Sequence, residues 1–420
     1  RMLSLSRFLC RVATLVTRRP KLIFVSSLVL MSCALFVARN VKVNSSRTET
    51  YDATHPTMQS LRLVEQELSG LFPLEIELQS DDPDLFYQAD FVRKLAAFQR
   101  FALNDEDVLF ARSYLDLHAE VEPSLRDLLV ENPSESLPDL QGTLNTSRIR
   151  IQSAEAEMGY SAFVTGDRKQ ARVMLKIRDE GTYETQKLID RLNGELQDLF
   201  PTGSGVQFQL TGSSYVNTFA MNQLIRELLG SLLGASGVIF LIIVLLFRSF
   251  RFGILAVLPN ATPLVLTVGY MGWQGYDMNA SNVIVFAIAL GIAVDDTIHF
   301  LFRFRDEHQR VGDVTQAIHL ALEGTGRAII LTSFLIVIGL AVLLFSQFIP
   351  TRRFGELLIV TMAGALVGDL LLLPTCIILF SKATNITPNG AAGGAEKESS
   401  KPHSPSDSST PDELVSESPS

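Results

Sequence analysis

The sequence predicts an α-helical membrane protein: six transmembrane helices, with an extracytoplasmic α+β domain of ferredoxin-like type between helices 1 and 2. Three observations lead there. Hydrophobic residues make up 47% of the chain and charged residues 19%, a balance that departs from soluble domains towards membrane proteins. Six apolar runs are long enough to cross a hydrocarbon core of about 30 Å at roughly 1.5 Å per residue. Between the first and second runs lies one long polar interval in which strand-like alternation and helical periodicity take turns.

Taken in order, Met2–Thr17 carries Leu5, Phe8, Leu9, Val12, Leu15 and Val16 at helical spacing with Arg7 and Arg11 between them. Residues 1–21 therefore form a basic amphipathic helix lying in the membrane surface. Arg18, Arg19 and Lys21 precede the first span, 22–38, which puts the N-terminus in the cytoplasm. Residues 39–225 form the extracytoplasmic α+β domain. Within it 74–79 (LEIELQ) alternates as a strand, 88–103 repeats as a helix, and 108–117 reads as strand. An irregular Pro/Ser-containing region follows. Then 162–164 and 171–177 flank a turn at Gly166–Asp167, with a helix at 182–200 and a strand at 206–210. Two β-α-β units of this kind make the ferredoxin-like split fold.

The five-helix block 226–381 holds spans at 228–247, 252–273, 282–302, 328–348 and 357–380. Arg248 and Arg251, then Arg303, Arg305, Arg310 and Arg327, and finally Lys382 fall in loops on one side. That bias places both termini in the cytoplasm of a multi-pass protein in the cell (inner or plasma) membrane. Arg352 and Arg353 run against it. Val314, Ala317, Ile318, Ala321 and Leu322 form a further apolar stripe, expected as a short surface helix under the bundle. Gly230, Gly234 and Gly237, and Gly364 with Gly368, are spaced for close helix contact, and Pro259, Pro263 and Pro374 for kinks. Residues 382–420 lose their apolar side chains and are expected to be a disordered cytoplasmic tail.

The net charge of −9 points to no nucleic-acid partner, because Lys and Arg crowd the membrane edges. Cys10, Cys33 and Cys376 lie in or beside apolar segments without metal or disulfide spacing. No cofactor, metal or enzymatic constellation is expected, and no ATP-binding segment, so energy must come from an ion gradient or a partner.

The chemistry is concentrated in the fourth span, NVIVFAIALGIAVDDTIHFLF. Asp295 and Asp296 inside it each cost roughly 2.5–3.5 kcal/mol on insertion scales. Two like charges cannot both ionise cheaply in a low dielectric, so the pair can take up and release a proton. His299 lies one helical turn away and can orient the relay. Asp369, the thirteenth residue of its span, sits at about the depth of Asp295, the fourteenth of its own. Thr332 and Ser333 on span five offer hydroxyls to a hydrated path, or bond back to their own helix. The relay set is Asp295, Asp296, Thr332 and Asp369, with His299 and Ser333 as orienting groups.

Several segments then carry a resemblance: LGIAVDDTIHFLFRFRDE, Gly312, Ala317–Ile318, GTGRAIILTSFLIVIGL, SQFIPTRRFGEL and GDLLLLP. Together they closely resemble the resistance-nodulation-division superfamily, near its hopanoid-transporter, MMPL and sterol-sensing-domain branches, from Arg18 to Phe380. The resemblance implies that Asp295 and Asp296 carry a proton relay and that Thr332 falls near a hydroxyl used in some members. It implies a proton-motive-force-driven exporter of hydrophobic or lipid-like molecules, with membrane lipids and a hydrophobic small-molecule substrate as partners. Alternatives are a lipid sensor without transport or an accessory subunit of protein secretion. Superfamily exporters have two six-span halves, so a second half is expected, from a dimer partner or as the preceding part of a longer polypeptide.

Overall fold

The computed structural model describes residues 2–46, 50–67, 70–130 and 139–381. The expected disordered tail, 382–420, lies outside them. Six helices are long and apolar enough to cross a membrane: Pro20–Ala38, Gly212–Phe247, Phe250–Gln274, Ala280–Val311, Val314–Phe345 and Ile349–Phe380. The chain is a multi-pass membrane protein.

Helix α1 (Met2–Arg18) is followed directly by α2 (Pro20–Ala38), whose proline occupies a first-turn position where no N–H is needed. The apolar stripe of α1 is divided: Phe8 and Leu15 stay exposed, while its other side packs inward. Leu9, Ala13 and Val16 are fully buried, in one cluster with Ala317, Ile318, Ala321 and Leu322. Those four residues belong to α12 (Val314–Ala341), so the expected separate surface helix at 314–322 is the leading part of span five. The two apolar stripes bury each other, and the helix has no reason to break between them. Val342–Phe345 continues span five as a 3-10 turn.

Past α3 (Pro56–Glu67), a four-stranded sheet is built from β1 (Phe72–Gln79), β2 (Val108–Arg112), β3 (Gln170–Ile177) and β4 (Gln207–Thr211). Its order is β2-β3-β1-β4, with every neighbouring pair antiparallel. α4 (Ala89–Leu103) connects β1 to β2, and α8 (Thr182–Leu199) connects β3 to β4. Each helix thus joins two strands that have a third strand between them. Leu74, Ile76 and Leu78 alternate into the core with Val173, Leu175 and Ile177, under Phe91, Leu95 and Phe98 of α4 and Leu188, Leu192 and Leu196 of α8.

Three segments depart from the expected pattern. The strand expected over 108–117 stops at Arg112, because Ser113 starts α5 (Tyr114–Val121) with a capping box. Its Oγ accepts from the Leu115 N–H, and Asp116 accepts from the Ser113 N–H at 2.7 Å. Residues 160–162 form a 3-10 turn, leaving only a single bridge between Val164 and Ala171. The region expected to be irregular contains, after the short α6 (Arg126–Val130), a 19-residue helix, α7 (Leu140–Met158), whose Asp139 caps the Gly142 N–H.

β4 runs straight into α9 (Gly212–Phe247), at 36 residues much longer than the expected 228–247. Gly212 makes the switch at φ +90°, where a Cβ would stand 3.0 Å from the Glu75 N atom. A helix of this length spans about 54 Å, so one unbroken rod ties the sheet to the bundle. A Cβ added at Gly230, Gly234 or Gly237 would meet nothing within 4 Å among the described residues, so the expected close helix contact is not made there. The bundle is completed by α10 (Phe250–Gln274), α11 (Ala280–Val311), α13 (Ile349–Val367) and α14 (Leu373–Ser381), the last two joined by a π turn at Gly368–Leu372. α10 and span six do approach closely. A Cβ on Gly368 would lie 2.6 Å from the Pro259 carbonyl oxygen, and one on Gly364 3.0 Å from the Pro263 Cα.

Candidate functional site

α11 begins with Asn279 accepting from the Asn282 N–H and ends at Gly312, φ +76°. Successive residues on it point about 100° apart, which separates the acidic doublet. Asp295 turns out of the six-helix bundle, with its side chain 72% exposed, and pairs with the equally outward His299 at 3.4 Å. Thr297 points into the bundle and is fully buried. Asp296, between them, is half-buried.

Thr297 meets two other spans. Its Oγ1 lies 2.6 Å from Oδ1 of Asp369 and 3.3 Å from Oδ1 of Asn260 on α10. Asp369 is 2% exposed, and its Oδ2 is buried without a hydrogen-bond partner among the described residues. The irregular backbone beneath it has a covalent origin. Pro374 has no N–H to return to Leu370, and Leu373 donates to Gly368 five residues back, which opens the π turn. On α10, Pro263 likewise cannot donate to the Pro259 carbonyl. Asn260 Nδ2 donates to the Ala256 carbonyl at 2.8 Å, which fixes the amide with its oxygen towards Thr297.

The MMPL family matches residues 119–396, about two-thirds of the chain. The chain belongs to the MMPL family. A membrane protein of Methanocaldococcus jannaschii is 22% identical over 386 residues, covering 90% of this chain and 95% of that protein. The apo-petrobactin exporter of Bacillus anthracis is 26% identical over 188 residues, 43% of this chain but 25% of the exporter. A membrane protein of Streptomyces coelicolor is 29% identical over 93 residues, 22% of this chain and 13% of its own length. The chain thus aligns with only a quarter of the exporter's length.

In this MMPL chain, the remaining residues singled out from sequence are scattered. Thr332 is exposed, and its hydroxyl donates back to its own helix, at 2.9 Å from the Ala328 carbonyl and 3.1 Å from that of Ile329. Ser333 is buried in span five, its Oγ without a partner among the described residues. Neither shares a hydrogen bond with Asp369. Two participants were not among the expected site residues, Thr297 and Asn260. Both are polar residues within apolar runs, a visible signal, but their meaning depended on which helix faces pack. A second polar group spans α10 and α13, where Glu356 accepts from the hydroxyls of Tyr270 and Tyr276 and the Arg353 guanidinium lies 4.8 Å from the Tyr276 ring centre. Arg352 reaches Asp52 at 3.5 Å.

Proposed function

We propose that this chain is one six-span unit of a proton-motive-force-driven secondary exporter of hydrophobic or lipid-like molecules. The observation that carries the reading is the chain of polar groups across spans three, four and six at mid-membrane depth: Asp295 and Asp296 in sequence, then Thr297, Asp369 and Asn260 in contact. Acids at that depth are too costly to keep for packing alone. Proton transit through Asp295 and Asp296, with Asp369 as a third acid, biases the packing of α11 against its neighbours. Each elementary charge moved through 100 mV contributes about 2.3 kcal/mol. Export chemistry is supported by the MMPL family match and by the exporter from Bacillus anthracis among its relatives.

The α+β unit, with its strand order and two helical crossovers, is read as ferredoxin-like and extracytoplasmic, handling substrate and coupled to the bundle through α9. Both chain termini are then cytoplasmic, in an inner or plasma membrane. A second six-span half is also part of the reading. Ile284, Ile288, Gly291, Asp295, His299 and Phe302 form one outward stripe on α11, and a carboxylate left against lipid is costly. A second half, from the same polypeptide or a dimer partner, covers it.

The test uses everted membrane vesicles with a fluorescent phospholipid analogue as the probe. Energised wild-type vesicles take up the probe, uptake collapses with a protonophore, and Asp296→Asn abolishes it while inserting at wild-type levels. Full uptake by the Asp295→Asn/Asp296→Asn double variant refutes the relay.

A further inference from the structure

We propose that Asp369, Thr297, Asn260 and the carbonyl of Pro259 form a buried site for a small alkali cation, of which Na⁺ is the fitting case. The inference rests on the reading of the chain as an ion-coupled transporter, and it assigns a second ion site distinct from the Asp295/Asp296 doublet. Donors and acceptors are unequally supplied here. Thr297 offers a single hydroxyl proton to two acceptors, Asp369 Oδ1 at 2.6 Å and Asn260 Oδ1 at 3.3 Å. The Asn260 amide cannot turn to help, because its Nδ2 is already engaged with Ala256.

Asp369 Oδ2 is buried and faces no donor among the described residues. The Pro259 carbonyl has lost its helical partner to Pro263 and lies against Gly368, the residue before Asp369. The corner where three helices meet is thus rich in oxygen acceptors, short of hydrogen-bond donors and holds one carboxyl group. Buried polar groups require compensation, and a hard monovalent cation supplies it to all of these oxygens at once.

The backbone suits this role. Unwound helices whose freed carbonyls coordinate Na⁺ near the bilayer midplane are known in membrane transporters, and here the continuous helix α10 holds two prolines, one of which frees the Pro259 carbonyl, while span six carries a π turn. The ligand set argues against other ions. Among the described residues no group of three or more His, Cys, Asp or Glu could hold a metal, which disfavours transition metals. Ca²⁺ takes about six to eight oxygens, more than this corner offers, and Mg²⁺ dehydrates reluctantly and keeps several waters. A proton on Asp369 satisfies the same carboxylate, so Na⁺ and H⁺ compete, and the apparent Na⁺ affinity falls on acidification.

The experiment is equilibrium binding of ²²Na⁺ to the purified full chain in nanodiscs, at pH 8 and pH 5.5, for wild type, Asp369→Asn, Thr297→Val, Asn260→Ala and Asp295→Asn/Asp296→Asn. The expected result is saturable binding competed by Li⁺ and weakened at pH 5.5. It is weakened at least tenfold in Asp369→Asn and Thr297→Val and retained in the doublet variant. Asn260→Ser, which keeps an oxygen, binds more tightly than Asn260→Ala. Absence of saturable binding in correctly folded wild type overturns the proposal, as does wild-type binding by Asp369→Asn, or loss confined to the doublet variant. Proton-driven probe uptake that persists in Na⁺-free vesicles leaves the exporter reading standing whatever the binding result. Na⁺ binding without uptake under any gradient sinks the exporter reading while the site remains.

Discussion

Gly368 is a point at which the bundle tolerates little change, and substituting it tests the packing that brings the polar groups together. A Cβ there would lie 2.6 Å from the carbonyl oxygen of Pro259, well inside contact distance, and the obstacle is backbone rather than a flexible side chain. Gly368→Ala therefore forces α10 and span six apart at the level of Asp369 and Asn260. Overpacking of this kind costs about 1–3 kcal/mol, against a helix-propensity gain for alanine of about 1 kcal/mol, so the net loss is at most about 2 kcal/mol. Gly234→Ala is the matched control, since a Cβ there meets nothing within 4 Å among the described residues and only the propensity gain remains. SDS titration in mixed micelles, followed by the fluorescence of Trp273, the single tryptophan of the chain and itself on α10, reads both. Gly368→Ala should unfold at lower SDS than wild type and Gly234→Ala at equal or higher SDS. Equal midpoints for the two variants would show that spans three and six are not in contact here.

Other consequences can be checked in the same protein. Leu9→Ala removes a fully buried side chain packed over Gly326. It should cost about 2–4 kcal/mol locally and speed trypsin cleavage at Arg18–Arg19, whereas Phe8→Ala, at a half-exposed position, should not. Ser113→Ala deletes the α5 cap and should cost about 1 kcal/mol, visible as faster amide exchange in 114–117. His118 is buried among Tyr87, Tyr114 and Tyr160, and desolvation, aided by the Arg148 charge, pushes its pKa down to about 4. The unfolded chain takes up this proton near pH 6.5 and the folded chain only near pH 4. Stability is therefore full above about pH 6.5 and falls by up to about 3 kcal/mol as pH drops through that window. Hydrogen exchange of β1 and α5 should follow that fall, and His118→Gln should flatten it.

How much of this was legible beforehand depended on whether a feature is local. The spans, the alternation of 74–79 and the helix at 182–199 follow from periodicity within one segment. The acidic doublet stood out because two carboxylates break an apolar run. What periodicity could not say was which side of α11 faces inward. Asp295 and Thr297 lie about 200° apart around the helix, so the pattern alone lets either face turn inward, and only the packing of α10 and α13 fixes which does. The same limit hid the fate of residues 314–322, whose apolar stripe matches lipid as well as it matches α1. It also hid the pairing of Thr297 with Asp369, although Pro374 did mark span six for a kink. The strand misread over 108–117 was decided by one hydroxyl, because Ser113 and Asp116 close a capping box that apolar alternation cannot register.

If Asp295 and Asp296 on span four carry charge across the lipid barrier, the protein must conduct protons when driven. Proton uptake into pyranine-loaded proteoliposomes under an imposed negative-inside potential reads this without any substrate. Wild-type protein should acidify the lumen, and the Asp295→Asn/Asp296→Asn variant, reconstituted at equal density, should match empty liposomes. Equal acidification by the two proteins would leave the doublet with no part in moving charge.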